Sequence, residues 1–205
     1  MQSLAAHSWA EAHLYLKVTP CEECSRGPWE IQAEPEEAGG RTLRAKCINC
    51  GAVKEFAFQC PPAPAETPTA GEQGPGEDLP AERINPTPSP SSIIDAGQWL
   101  SLFYLLVETA SKIPDRGQAR RITFQAALCL DEALKFYSDD DELPPQTALF
   151  TEASRQAFAS YPERFARQRL RDLRSKLPEL RVMAGRLARD AQRATPKRWW
   201  QFWRR

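Results

Sequence analysis

Two close pairs of cysteines, Cys21-x2-Cys24 and Cys47-x2-Cys50, stand 22 residues apart. No other feature restricts the possible folds as much. A Cys-x2-Cys turn puts two thiolates on one side of an ion, and a second such turn completes a tetrahedron of sulfurs. The pattern predicts one zinc ion held by Cys21, Cys24, Cys47 and Cys50. With all four positions filled by protein, no bound water is left to activate, so the ion is expected to be structural. So small a module has little core of its own and is expected to need its metal to fold.

The residues between the pairs fit a hairpin. Trp29, Ile31 and Ala33 alternate with polar residues, and so do Leu43 and Ala45 with Thr42, Arg44 and Lys46. Glu34–Gly40 has turn chemistry, and Val53–Phe58 offers a third strand. Through Cys21-Glu22-Glu23-Cys24 and Cys47-Ile48-Asn49-Cys50-Gly51 this stretch, about residues 14–60, resembles the zinc-ribbon family. Ser25 stands where such ribbons often carry glycine, and the loop between the pairs is slightly long; neither removes a ligand. The resemblance implies contact with nucleic acids or with proteins. Residues 1–60 carry 6 Lys/Arg against 8 Asp/Glu, which favours protein. Arg41, Arg44, Lys46 and Lys54 supply the material for a local basic patch. His7 and His13 precede the first pair and read as packing or surface histidines. Cys129 reads as a small buried hydrophobe, and Cys60 receives no role.

Beyond this module the composition changes. Residues 61–91 hold nine of the 18 prolines and predict an extended, disordered linker. Residues 92–194 are helical in pattern. A helix is expected from Ile93 to Lys112, a second from about Gln118 to Tyr137, a third from Thr147 to Ala159, and a long last one from Pro162. The expected architecture is a small β zinc ribbon with a short N-terminal helix (1–60), a Pro-rich linker (61–91), an all-α domain of about four helices (92–194) and a separate tail (195–205).

Charge is distributed unevenly. Residues 161–205 carry 14 Lys/Arg and 4 Asp/Glu, and the rest of the chain carries the compensating acid. Ala166, Leu170, Leu173, Leu177, Leu180, Ala184, Leu187, Ala191 and Ala194 form a heptad seam. Both its flanks are basic, which disfavours a parallel homodimeric coiled coil. The seam is expected to pack on the chain's own helices, near Asp131-Glu132 and Asp139–Glu142. The flanking Arg167, Arg174 and Arg181, with Arg169 and Lys176 on the other side, are then candidates for internal pairing or for a solvated face, and Arg164, Arg167, Arg171 and Arg174 are candidates for contact with an anion such as nucleic acid.

The tail reads as a short amphipathic helix. Trp199, Trp200, Phe202 and Trp203 share one arc, and Lys197, Arg198, Arg204 and Arg205 lie on the other side. Such a tail suits docking on an anionic membrane surface, on a protein partner or on single-stranded nucleic acid. No apolar run reaches the length of a membrane span. Six cysteines without a secretory leader point to a reducing, cytoplasmic setting, with the tail able to reach the inner membrane face. No phosphate-cradling Gly-rich loop, Gly-x-Ser-x-Gly or His-Glu-x-x-His occurs, so a non-enzymatic role is expected. The whole chain resembles bacterial proteins that carry a zinc ribbon beside a helical domain. Two readings follow. One is a scaffold or interaction protein; the other is a nucleic-acid-associated factor using the ribbon and the basic helix.

Overall fold

A computed structural model describes residues 3–37, 40–61 and 84–177. The first half builds a small sheet. Its strands are β1 (Leu4–Ala5), β2 (Trp29–Ala33), β3 (Glu36–Glu37), β4 (Gly40–Cys47) and β5 (Val53–Gln59). They lie in the order β1-β5-β4-β2, with β3 also paired to β4. Alternation explains the sidedness of β4: Leu43, Ala45 and Cys47 are buried, while Arg44 and Lys46 are exposed. Antiparallel register sets Leu43 opposite Phe56 and Trp29 opposite Cys47. β1 runs parallel to β5, pairing Leu4 with Phe58 and Ala5 with Gln59.

Between β1 and β2 runs helix α1 (Trp9–Val18), capped by Ser8, whose hydroxyl accepts from the Glu11 amide at 3.1 Å. Tyr15 meets Phe56 and Phe58 edge-on at 6.3 and 5.9 Å, which seats the helix on the sheet. Ala12, Leu14 and Leu16 are buried too. A helix apolar on more than one side packs on more than one neighbour, and α1 also contacts the first helix of the second half.

That helix, α2 (Ala96–Lys112), packs along α3 (Arg116–Leu134); α4 (Glu152–Ser160) and α5 (Arg167–Ser175) follow. The expected third helix is split into a 3-10 turn at Gln146–Ala148 and α4. The expected last helix starts with a 3-10 turn at Pro162–Phe165 and continues as α5. Asp95 opens α2 with a capping box, its side chain accepting from the Gln98 amide at 2.8 Å. The same fully buried carboxylate accepts from Ser154 Oγ at 2.6 Å, Thr151 N–H at 2.9 Å and Thr151 Oγ1 at 2.6 Å. Four donors satisfy it and tie the starts of α2 and α4 together.

The two halves share one hydrophobic core that includes Leu14, Leu43 and Phe58 on one side and Trp99, Leu102 and Leu130 on the other. Of the expected linker, residues 62–83 lie outside the described residues. Its last part, from Ile84, is packed rather than extended in solvent: Ile84, Asn85 and Ser91 are buried. Ser8 Oγ donates to the Ile84 carbonyl, Ser92 Oγ to the Ala5 carbonyl at 3.0 Å, and Gln98 Nε2 to the Val18 carbonyl at 3.3 Å. Lys135 Nζ bonds the carbonyls of Asn85 and Thr87 at 2.9 Å each. These contacts join the sheet module to the helices.

Candidate metal centre

The hairpin places both cysteine pairs at one end of the sheet. Cys21 follows α1, and Cys47 closes β4. Each pair begins the same local turn. Cys21 N–H donates to the Arg26 carbonyl at 2.6 Å, and Ser25 N–H returns to the Cys21 carbonyl at 2.8 Å. Cys47 N–H donates to the Ala52 carbonyl at 2.8 Å, and Gly51 N–H returns to the Cys47 carbonyl at 2.9 Å. Ser25 (φ 56°) and Gly51 (φ 79°) occupy the same place in the two turns, and both are left-handed. The serine therefore adopts the backbone that glycine usually supplies.

The four sulfurs lie within 4.8 Å of one another. Cys21 and Cys50 are 3.7 Å apart, as are Cys24 and Cys47. A tetrahedron with zinc–sulfur bonds of about 2.3 Å has edges of about 3.8 Å. The four thiols thus form a cage able to hold a metal ion, and their softness suits zinc among the divalent ions. Cys21 and Cys47 are buried, Cys24 is half-buried and Cys50 is exposed. Trp29, edge-on to Phe56 at 5.2 Å, lies opposite Cys47 in the register and shields the inner side.

Crowded thiols do not ionise alike. The Cys50 backbone N–H, opposed by burial and helped by the Asn49 amide, lowers Cys47 to about 7. For Cys50 the Ala52 amide pulls downward, but burial and the sulfurs of Cys24, Cys21 and Cys47 outweigh it and push it to about 12. Four thiolates at this spacing repel one another, and a dication is the partner that relieves all of them.

The other candidate residues scatter. Arg167 reaches back to the loop after α3, donating to the Ser138 carbonyl at 2.8 Å and pairing with Asp139 at 3.2 Å. Arg174 Nε bonds Asp131 at 2.7 Å. Arg164 stacks over Tyr161 with its guanidinium carbon 4.3 Å from the ring centre. Arg171 is exposed at the rim of a shallow cavity beside Asp131. Leu170 is buried, and Leu173 and Leu177 pack against the core, so the described part of the heptad seam faces the chain's own helices. The rest of the seam, and Lys197, Arg198, Trp199, Trp200, Phe202, Trp203, Arg204 and Arg205, lie outside the described residues.

On the sheet's open face Glu30 stands opposite Lys46, and Arg44 opposite Glu55. Lys54 pairs with Glu22. His13 pairs with Glu34 at 3.2 Å, and His7 Nδ1 lies 3.3 Å from the buried Glu11 carboxylate. Sequence reading passed over Glu11, since a lone glutamate near the start of a helix reads as a solvated first-turn acid. Cys129 is fully buried. Comparison with protein-family models, with curated proteins and with solved structures finds no match for this chain. Among the described residues no helix is long and apolar enough to cross a membrane.

Proposed function

We propose that this chain is a non-enzymatic interaction protein of the cytoplasm, built on a zinc ribbon whose single zinc ion is structural. The reading rests chiefly on the four sulfurs at tetrahedral spacing, with every coordination position supplied by the chain. The ion fixes two turns and, through them, the ends of β2, β4 and β5. One face of that sheet is used up against α1 and the helical core. The other is the contact surface. It presents two cross-strand pairs of opposite charge, Glu30 with Lys46 and Arg44 with Glu55. Exposed Ile48 and Val53 lie at its metal end. Mixed charge around exposed apolar residues suits a protein partner better than a phosphate backbone. The partners of Lys54, Arg167 and Arg174 point the same way. The aromatic, basic tail is assigned to localisation, at an anionic membrane face or on the partner.

Metal analysis of the purified chain is expected to give one zinc per chain, lost on Cys47→Ser. Anisotropy titrations with DNA and RNA are expected to show no steeply salt-dependent binding. Tight binding that weakens with salt and needs Arg171 would replace this reading with the nucleic-acid one.

A further inference from the structure

One face of α2 is covered over its first turns and open beyond them. A Cβ on Gly97 would lie 2.4 Å from Ser154 Oγ, so α4 sits directly on the start of that face. At 3.6 residues per turn, Tyr104 lies within about 20° of Gly97 around the helix, and Leu105 and Val107 lie about 80° to either side. These three side chains are 39%, 45% and 37% exposed. The opposite face, with Trp99, Leu102, Phe103 and Leu106, is buried. Three large apolar side chains together on one helix face mark a contact surface.

The chain itself supplies a cover. Phe158 of α4 meets Phe165, just before α5, edge-on at 5.3 Å, and α4 packs on α2 while α5 packs on α3. α4 and α5 thus form one layer over the α2–α3 pair. Arg167 pairs with Asp139, just past the end of α3, and Arg174 pairs with Asp131 inside it. α5 therefore runs antiparallel to α3, close to residue for residue. Its grip is the seam: Leu170 is buried, and Leu173 and Leu177 pack against the core. Past Leu177, where the described residues end, the same spacing continues with Leu180, Ala184, Leu187 and Ala191. Pro178 suits the first turn of a helix that starts there. Carried on in the register of the two ion pairs, Leu180 comes about level with Tyr104, Ala184 with Val107 and Leu187 with Ala110. Leu180 is only three residues from a side chain already seated, so it reaches the patch at a loop-closure cost that a second copy cannot match.

We propose that residues 178–194 dock as a helix on the open face of α2, with Leu180, Ala184, Leu187 and Ala191 covering Tyr104, Leu105 and Val107. The docked helix sets where the aromatic tail begins: beside the turn at 113–115, at the far end of α2 from α4.

The test places a photo-crosslinking residue in the full chain, as Tyr104→p-benzoylphenylalanine or Lys112→p-benzoylphenylalanine, and maps the captured peptides by mass spectrometry. Position 104 is expected to capture residues around 180–184, and position 112 residues around 187–191, both within one chain. Leu180→Glu combined with Leu187→Glu should cut the capture at position 104 about tenfold or more, since burying one leucine is worth at least that factor. Circular dichroism reports whether this double variant is folded, and the two crosslink maps stand without it. Capture between two chains would give the patch to a second copy and overturn the proposal. Capture of neither stretch, capture in the reverse order, or a folded double variant that crosslinks like wild type would each overturn it as well.

Discussion

Ser25 and Gly51 make the same turn with different residues, and the difference is measurable. An L-residue with a side chain held at positive φ costs about 1–2 kcal/mol. Ser25→Gly is therefore expected to stabilise the zinc-loaded chain by up to about 1 kcal/mol, less the extra freedom glycine gives the unfolded chain. Gly51→Ala should destabilise it by about 1–2 kcal/mol. Its new Cβ would meet only Lys46 Cε at 3.7 Å, so the cost lies in the backbone and not in a clash. Urea titrations of the two variants should move in opposite directions; movement the same way would show that φ is not what limits these turns. Gly97 is a different case. A Cβ there would lie 2.4 Å from Ser154 Oγ and 2.6 Å from Ser154 Cβ. Gly97→Ala must push α4 off α2 and disturb the Ser154–Asp95 bond, at about 1–3 kcal/mol. Adding Ser154→Gly should recover part of that loss, and failure to do so would place the strain elsewhere.

Among the elements, the sheet is the one that the proposed ion would hold in place. Its strands are short, and its inner residues are few. If the proposed ion is there, stripping it would leave four thiols with no cation among them and free both turns. Chelation is expected to abolish the near-ultraviolet circular dichroism of Trp29 and to lower the melting midpoint of the whole chain. An unchanged spectrum and midpoint in metal-free protein would show that packing alone holds the sheet. α1 belongs to the same argument, because its Tyr15 rests on Phe56 and Phe58 of the sheet. The strands β2, β4 and β5 were legible from alternation. β1 was not, because two residues are too few to show a period and their partner is 54 residues away. The break between Ala148 and Glu152 was missed for a related reason: the apolar spacing continues through it, while Thr151 starts a new helix by capping Ser154.

At the scale of the molecule the two halves share one hydrophobic core and are expected to unfold together. Leu14 lies in the core they share, and Leu14→Ala should cost about 2–5 kcal/mol. Zinc release and loss of helix should then coincide on heating, in wild type and variant alike. Two separate transitions would mean the halves fold independently. The junction also carries a pH dependence. Burial raises Glu132 above its ordinary 4.5, against the opposing pull of Lys135 and the Asn85 amide, and the nearby Glu11 adds to the rise. In this range the folded chain holds the Glu132 proton more tightly than the unfolded chain does. Its contribution to stability is therefore complete below about 4.5 and is lost as pH rises through the raised value. Glu132→Gln should remove that loss, so its melting midpoint should gain on wild type between pH 4 and pH 7. A gap independent of pH would show that Glu132 titrates normally.

The sequence alone determined the cysteine cage, the hairpin between its pairs and the presence of the main helices. These follow from short-range rules: ligand spacing, alternation, caps and helical period. It also placed acid near the arginines of α5, because Asp131 and Asp139 offered the nearest opposite charge. Only the tertiary structure decided that residues from Ile84 onward pack between the halves and that Glu11 and Asp95 are buried. Each of those depends on which surfaces meet. Asp95 enters the core because distant partners, Thr151 and Ser154, satisfy it. No local pattern reports such a meeting.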